Sequence, residues 1–190
     1  MKTYILPAIR LLLVLTVITG IIYPLAMTLF ASVAYNRQAT GSMIVHNGKT
    51  VGSELIGQSF VSPKYFHSRP SAVGYNPLPS SGSNFGPTSK ALQDSMGVYR
   101  KTFLLENSLG SDKIVPKDML STSGSGLDPH ISPEAARLQI DRVAKTRKLS
   151  EAKRQRLYKL IDQYIEAPQF GLWGEPRVNV FRLNLALDSL

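Results

Sequence analysis

The sequence predicts an α+β protein with one N-terminal transmembrane helix followed by a single mixed extracytoplasmic domain. Three observations predict it: a charge-free apolar run over residues 11–34, strand-like segments at both ends of the remainder, and helical periodicities between them. The expected organisation is residues 1–10 as a cytoplasmic N-terminus, 11–34 as the membrane helix and 35–190 as a periplasmic α+β domain.

The apolar run spans 24 residues, roughly 36 Å as a helix, enough to cross a hydrocarbon core of about 30 Å. A removable signal peptide is the rival, because Ser32-Val33-Ala34 has the small residues of a cleavage site. Its apolar core would run only about 7 to 15 residues, so a retained anchor is expected. Lys2 and Arg10 precede the span and only Arg37 follows closely; this bias keeps the amino end in the cytoplasm and puts the domain outside. Thr16, Thr19, Gly20 and Tyr23 share one face at i, i+3, i+4 and i+7, the kind of face on which a partner helix packs closely. Pro24 deprives Gly20 of a helical hydrogen bond, which predicts a kink.

After the span, Ser42 to His46 and Lys49 to Gly52 flank Asn47-Gly48, a pair suited to a type I′ hairpin turn. Residues 58–88 carry Pro63, Pro70, Pro77, Pro79 and Pro87 and read as a long loop. Free linkers are poor in aromatics, yet Phe60, Tyr65, Phe66, Tyr75 and Phe85 recur here, so the loop is expected to dock on the domain or on a partner. Leu92, Met96, Tyr99 and Phe103 predict a core-facing helix over 89–107, with Thr88 or Ser89 as its cap. Ser132-Pro133-Glu134 starts another, with Ala136, Ile140 and Val143 on its apolar edge. A third starts at Ser150 with Leu157, Leu160, Ile161, Tyr164 and Ile165 on one face, and Pro168 limits it. Residues 178–187 alternate like a strand, slip phase between Val180 and Phe181 as at a bulge, and are expected to pair with the early hairpin.

Composition excludes several classes of chemistry. Cysteine is absent, so there is neither a disulfide framework nor a thiolate site. His46, His67 and His130 occur in unrelated segments, which gives a metal site no support. A net charge of +9 could face nucleic acid, but a domain outside the cell removes that partner. Nine of the basic residues fall between Arg137 and Lys159, against two acids there, and read as a solvated face or a docking surface for an acidic partner. No phosphate loop and no Asp-Lys-Thr-Gly sequence is present, so the chain does not hydrolyse ATP alone. Ser123, Ser125, Asp128 and His130 invite a hydrolase reading, but they crowd into one short stretch with Asp128 and His130 separated by a proline, whereas a triad converges from separate elements. Asp128 is better placed to cap a turn into the Ser132 helix.

The same stretches carry a resemblance. Gly57-Gln58-Ser59-Phe60, Arg69-Pro70-Ser71-Ala72, Gly82-Ser83-Asn84-Phe85-Gly86-Pro87-Thr88, the long run from Ser121 to Ala136, and Gly174-Glu175-Pro176-Arg177-Val178-Asn179-Val180 occur in family order. The chain resembles the C subunit of the bacterial Kdp-type potassium-transporting ATPase over nearly its whole length. The resemblance implies a non-catalytic accessory subunit in the bacterial inner membrane. Its partners would be a channel-like subunit that binds potassium and a P-type subunit that hydrolyses ATP. It implies a catalytic chaperone that assists assembly and raises the ATP affinity of the hydrolysing subunit, with ATP and potassium handled by the partners and no cofactor of its own. Arg69, Asn84, Ser123, Ser125, Asp128 and His130 are the docking or structural set within these motifs. The predicted topology puts residues 121–126 on the side of the membrane away from ATP. The alternative is a membrane-anchored periplasmic enzyme or binding protein acting alone.

Overall fold

The computed structural model describes residues 2–46 and 48–190, which divide into two compact units, Met1–Ser53 and Glu54–Leu190. In the first, helix α1 (Lys2–Val17) runs through a five-residue π-helical segment (Ile18–Ile22) into α2 (Tyr23–Ala34). The continuous helix Tyr4–Ala34 has 31 residues and is long and apolar enough to cross a membrane, about 46 Å by the α-helical rise. Apart from the half-buried Ala31, its residues are exposed, as expected of a surface whose solvent is lipid. The interruption predicted at Pro24 takes the form of the π turn. Pro24 has no N–H to give Gly20, and the ladder widens so that the Tyr23 N–H donates to the Ile18 carbonyl instead. A β-carbon on Gly20 would meet only Thr16 Cγ2 at 4.0 Å, so this face is open.

A short helix α3 (Asn36–Ala39) leads to the hairpin of β1 (Met43–His46) and β2 (Lys49–Ser53), which pair antiparallel with a bulge after Ile44. Gly48 has the positive φ (+73°) that the predicted turn needs, whereas Asn47 lies outside the described residues.

The second unit holds the core. Helix α4 (Lys90–Glu106) forms where its periodicity predicts, with Ser89 at the N-cap but no hydrogen bond from its side chain. Only its last turn enters the core, through Phe103 and Leu104. Leu92, Met96 and Tyr99 are half-buried, which corrects the core-facing stripe: the packed elements cover only the C-terminal part of this helix. The Ser132 helix is two, α5 (Pro133–Leu138) and α6 (Ile140–Thr146), broken at Gln139. Ser132 caps α5 as expected, its Oγ accepting from the Ala135 N–H while donating to Asp118 Oδ1. Helix α7 (Glu151–Gln163) is capped by Ser150 and buries Leu157 and Ile161.

The small sheet has the order β3-β5-β4, with β3 (His130–Ile131) and β4 (Ile165–Glu166) flanking β5 (Arg177–Asn179), all antiparallel. The C-terminal strand is therefore short and pairs with β3 and β4 rather than with the hairpin, and residues 180–187 are not strand. They belong to α8 (Val180–Asp188), capped by Asn179 Oδ1 on the Arg182 N–H at 3.1 Å. The phase slip after Val180 is a change of period. Val180, Leu183, Asn184 and Leu187 stand at i, i+3, i+4 and i+7, and all four are buried. With Ile131, Ile140, Val143, Leu157, Ile161 and Val178 they belong to the core that also holds Phe66, which is fully buried although it comes from the proline-rich loop.

Candidate functional site

The long loop docks on its own domain, through side chains that hold its backbone. Asn184 brackets Phe66: its Oδ1 accepts from the Phe66 N–H (2.8 Å) and its Nδ2 donates to the Phe66 carbonyl (2.9 Å). Gln139 does the same one residue on, accepting from the His67 N–H (2.7 Å) and donating to its carbonyl (3.2 Å). Arg142 completes the clamp. Its Nη1 donates to the carbonyls of Pro63 (2.6 Å) and Tyr65 (2.9 Å), its Nε to Asn107 Oδ1 (2.9 Å) and its Nη2 to Gln139 Oε1 (2.7 Å). A buried guanidinium is tolerable only with its donors used. Burial pushes its pKa down to about 10, against the pull of Glu106.

None of these clamp residues was singled out from the sequence. The available signal was polar residues in apolar phase: Gln139 beside Ile140, Arg142 beside Val143, and Asn184 between Leu183 and Leu187.

The motif residues converge on a second junction, between residues 57–83 and 121–131. The Gly57 N–H donates to the Leu127 carbonyl (2.7 Å), and a β-carbon on Gly57 would stand 2.6 Å from the Asp128 carbonyl oxygen. Ser71 Oγ donates to the Gly126 carbonyl (2.7 Å) and accepts from the Tyr75 N–H (2.9 Å). Gly126 has φ +69°, and an added β-carbon would meet Val73 Cγ2 at 2.6 Å. The Tyr75 hydroxyl donates to the Arg69 carbonyl, and burial pushes its pKa up to about 12.

Arg69, Asp128 and His130 come together. Arg69 Nη1 lies 2.9 Å from Asp128 Oδ2, while Asp128 Oδ1 accepts from the His130 N–H (2.9 Å) and stands 3.3 Å from His130 Nδ1. Burial alone would raise the Asp128 carboxyl. The hydrogen bonds from His130 and the Arg69 guanidinium outweigh it and hold the group below its ordinary value. His130 Nε2 faces Glu166 Oε2 at 3.7 Å, and Ser125 Oγ accepts from the Leu127 N–H (3.1 Å). Ser125 is thus turned to its own loop and not to His130. Ser123 is buried, its carbonyl accepting from the Gly126 N–H. Asn84 is exposed, with Nδ2 3.4 Å from Ser81 Oγ, and stands apart from this cluster.

Two cavities adjoin Arg69. One, of about 270 Å³, is lined chiefly by Phe60, Val61, Tyr75, Tyr99, Phe103 and Met119; the other, of about 260 Å³, by Asp118, Asp128, His130, Glu175 and Arg177. Among the described residues no three His, Cys, Asp or Glu side chains converge as a metal site.

The clamp makes stability depend on pH. His67 is held below the usual imidazole value by burial first and Arg142 second, against the Ser62 carbonyl and Glu106. The unfolded chain takes up a proton near pH 6.5, whereas the folded one does so only lower. Stability is therefore full above about pH 6.5 and is lost as the pH falls below it. Asp128, also depressed, adds a second loss below about pH 4. Urea midpoints are expected to fall between pH 7 and pH 5.5 in the native chain and to stay level over that interval in His67→Gln; matching profiles would disprove the assignment.

A family model described as the K+-transporting ATPase c chain, KdpC, matches residues 5–189. The chain is similar to the potassium-transporting ATPase KdpC subunit of Dechloromonas aromatica (strain RCB), at 50% identity over 194 residues covering 100% of this chain and 99% of the relative. It is similar to the KdpC subunit of Methylococcus capsulatus at 50% identity over 187 residues, covering 97% and 96%. To that of Cereibacter sphaeroides it is 46% identical over 189 residues, covering 100% and 98%.

Proposed function

Because the chain belongs to the KdpC family, the c chain of K+-transporting ATPases, we propose that it is the non-catalytic accessory subunit of an ATP-driven potassium uptake complex. Its partners would be a channel-like subunit that binds potassium and a P-type subunit that hydrolyses ATP; it assists their assembly and raises the ATP affinity of the second. The observation that carries this reading is the use made of the motif residues. Arg69 and Asp128 hold one loop to another, and His130 and Ser125 are engaged within the second of those loops, which favours a rigid docking body over a site of bond-making chemistry. The positive charges at Lys2 and Arg10 support a cytoplasmic amino end and a periplasmic domain. In that topology the effect on ATP affinity is transmitted through contacts with the partners, not by holding the nucleotide.

The open face at Gly20 supports a helix–helix contact in the membrane, with Thr16, Thr19 and Tyr23 as its other members. Purification in mild detergent tests the reading. The native chain is expected to copurify stoichiometrically with the other subunits, Gly20→Leu to loosen that association, and removal of the chain to raise the apparent KM for ATP on the order of ten-fold. A monodisperse single chain would refute the subunit role. A large fall in activity per intact complex for Ser125→Ala, with assembly unchanged, would refute the non-catalytic one.

A further inference from the structure

Between β4 and β5 the chain makes a tight projecting turn. Gln169 and Trp173 exchange backbone hydrogen bonds of 2.8 and 3.0 Å, and Phe170 and Gly171 both take positive φ, at +55° and +72°. The turn is closed further by the Gly171 N–H on the Pro168 carbonyl (2.9 Å). On this frame Phe170 and Leu172 are each 79% exposed and Trp173 is 65% exposed, with the Phe170 and Trp173 rings edge-to-face at 5.9 Å. Three large apolar side chains stand exposed on this hydrogen-bonded turn, two of them paired ring to ring, and they have no role in the core of this domain. Such a preordered aromatic cluster has the composition of an interface hot spot, where little entropy remains to be lost on binding.

We propose that this hairpin tip, residues 169–173, is the wedge that seats the domain in an apolar socket on another subunit of the transport complex. The inference rests on the subunit reading above. Charge selects the occupant: residues 167–174 carry none, and the nearest acids are Glu166 and Glu175. Arg177 and Arg182 are directed at Glu166, at 3.0 and 3.6 Å. A loop that inserts among anionic headgroups needs free lysine or arginine beside its aromatics, and here the arginines are engaged. Area argues against a second copy of this chain. The three side chains expose roughly 450 Å², so two tips together would bury about 900 Å², short of the ~1,200 Å² at which stable interfaces begin. As one anchor within a larger heteromeric contact, the same area is sufficient.

The test uses the full-length chain in the assembled complex. Trp173→Ser is expected to weaken retention of the chain about thirty-fold on dilution in mild detergent, with an unchanged melting temperature. Leu172→Ser repeats the test without touching the ring pair and is expected to weaken retention in the same direction. A photoreactive group at position 172 should give an adduct with another subunit. Native retention by Trp173→Ser and Leu172→Ser, or an adduct confined to lipid or to a second copy of this chain, would overturn the wedge while leaving the subunit reading intact. Failure of the native chain itself to copurify would instead remove that reading.

Discussion

Arg142→Ala is expected to destabilise the domain by about 3–5 kcal/mol, the cost typical of removing one member of a buried charged network. Three acceptors lose their donor at once, the carbonyls of Pro63 and Tyr65 and Asn107 Oδ1, while Gln139 Oε1 loses one of two and keeps the His67 N–H. Each buried acceptor left alone costs on the order of 1–3 kcal/mol, and water entering the gap returns part of that. Against a total stability of about 5–15 kcal/mol the loss is severe. Arg142→Lys should recover only a fraction, because an ammonium offers three donors from one point where the site needs a planar fork. Urea unfolding measures the loss, and limited proteolysis should show new cleavage near residues 63–67. A shift below about 1 kcal/mol would mean that the clamp is not what holds the loop.

Phe66→Ala is expected to cost about 3–5 kcal/mol by a different route, since it empties a fully buried site in the middle of the core. The backbone at residue 66 keeps both hydrogen bonds to Asn184. The loop should therefore stay tethered, and proteolysis between residues 58 and 75 should rise less than in Arg142→Ala. Phe66→Leu should recover most of the loss, because it refills most of the volume. Combining Phe66→Ala with Asn184→Ala should give a non-additive effect, as the two side chains grip one residue from two sides. Additive losses would show that the apolar plug and the amide clamp act independently.

These two effects concern a segment that composition alone marks as irregular. The recurrence of Phe60, Tyr65 and Phe66 among prolines indicated that the loop docks, and it does so within its own domain; Phe85, 45% exposed, is the aromatic that stays out. The partners of the docked residues were not visible in the chain. Asn184 is 118 residues from Phe66, and Gln139 is 72 residues from His67.

Local signals decided what local physics controls. The charge-free run over 11–34 specified a membrane-length helix because span length is a property of consecutive residues. Ser132 and Ser150 specified helix starts because a cap acts within three residues. The ordered Gly, Ser, Pro and Arg motifs specified the family. Tertiary structure alone decided that residues 180–188 are helical. A run in which Val178, Val180, Phe181 and Leu183 are all apolar satisfies either period, and the choice was made by β3 and β4 occupying both edges of β5 and by Asn184 turning toward the Phe66 backbone. It alone decided that Arg69, Asp128 and His130 form one cluster, and that Gly57 and Gly126 are obligatory there. Those requirements come from the close approach of two backbones far apart in sequence, and no periodicity within either segment records that distance.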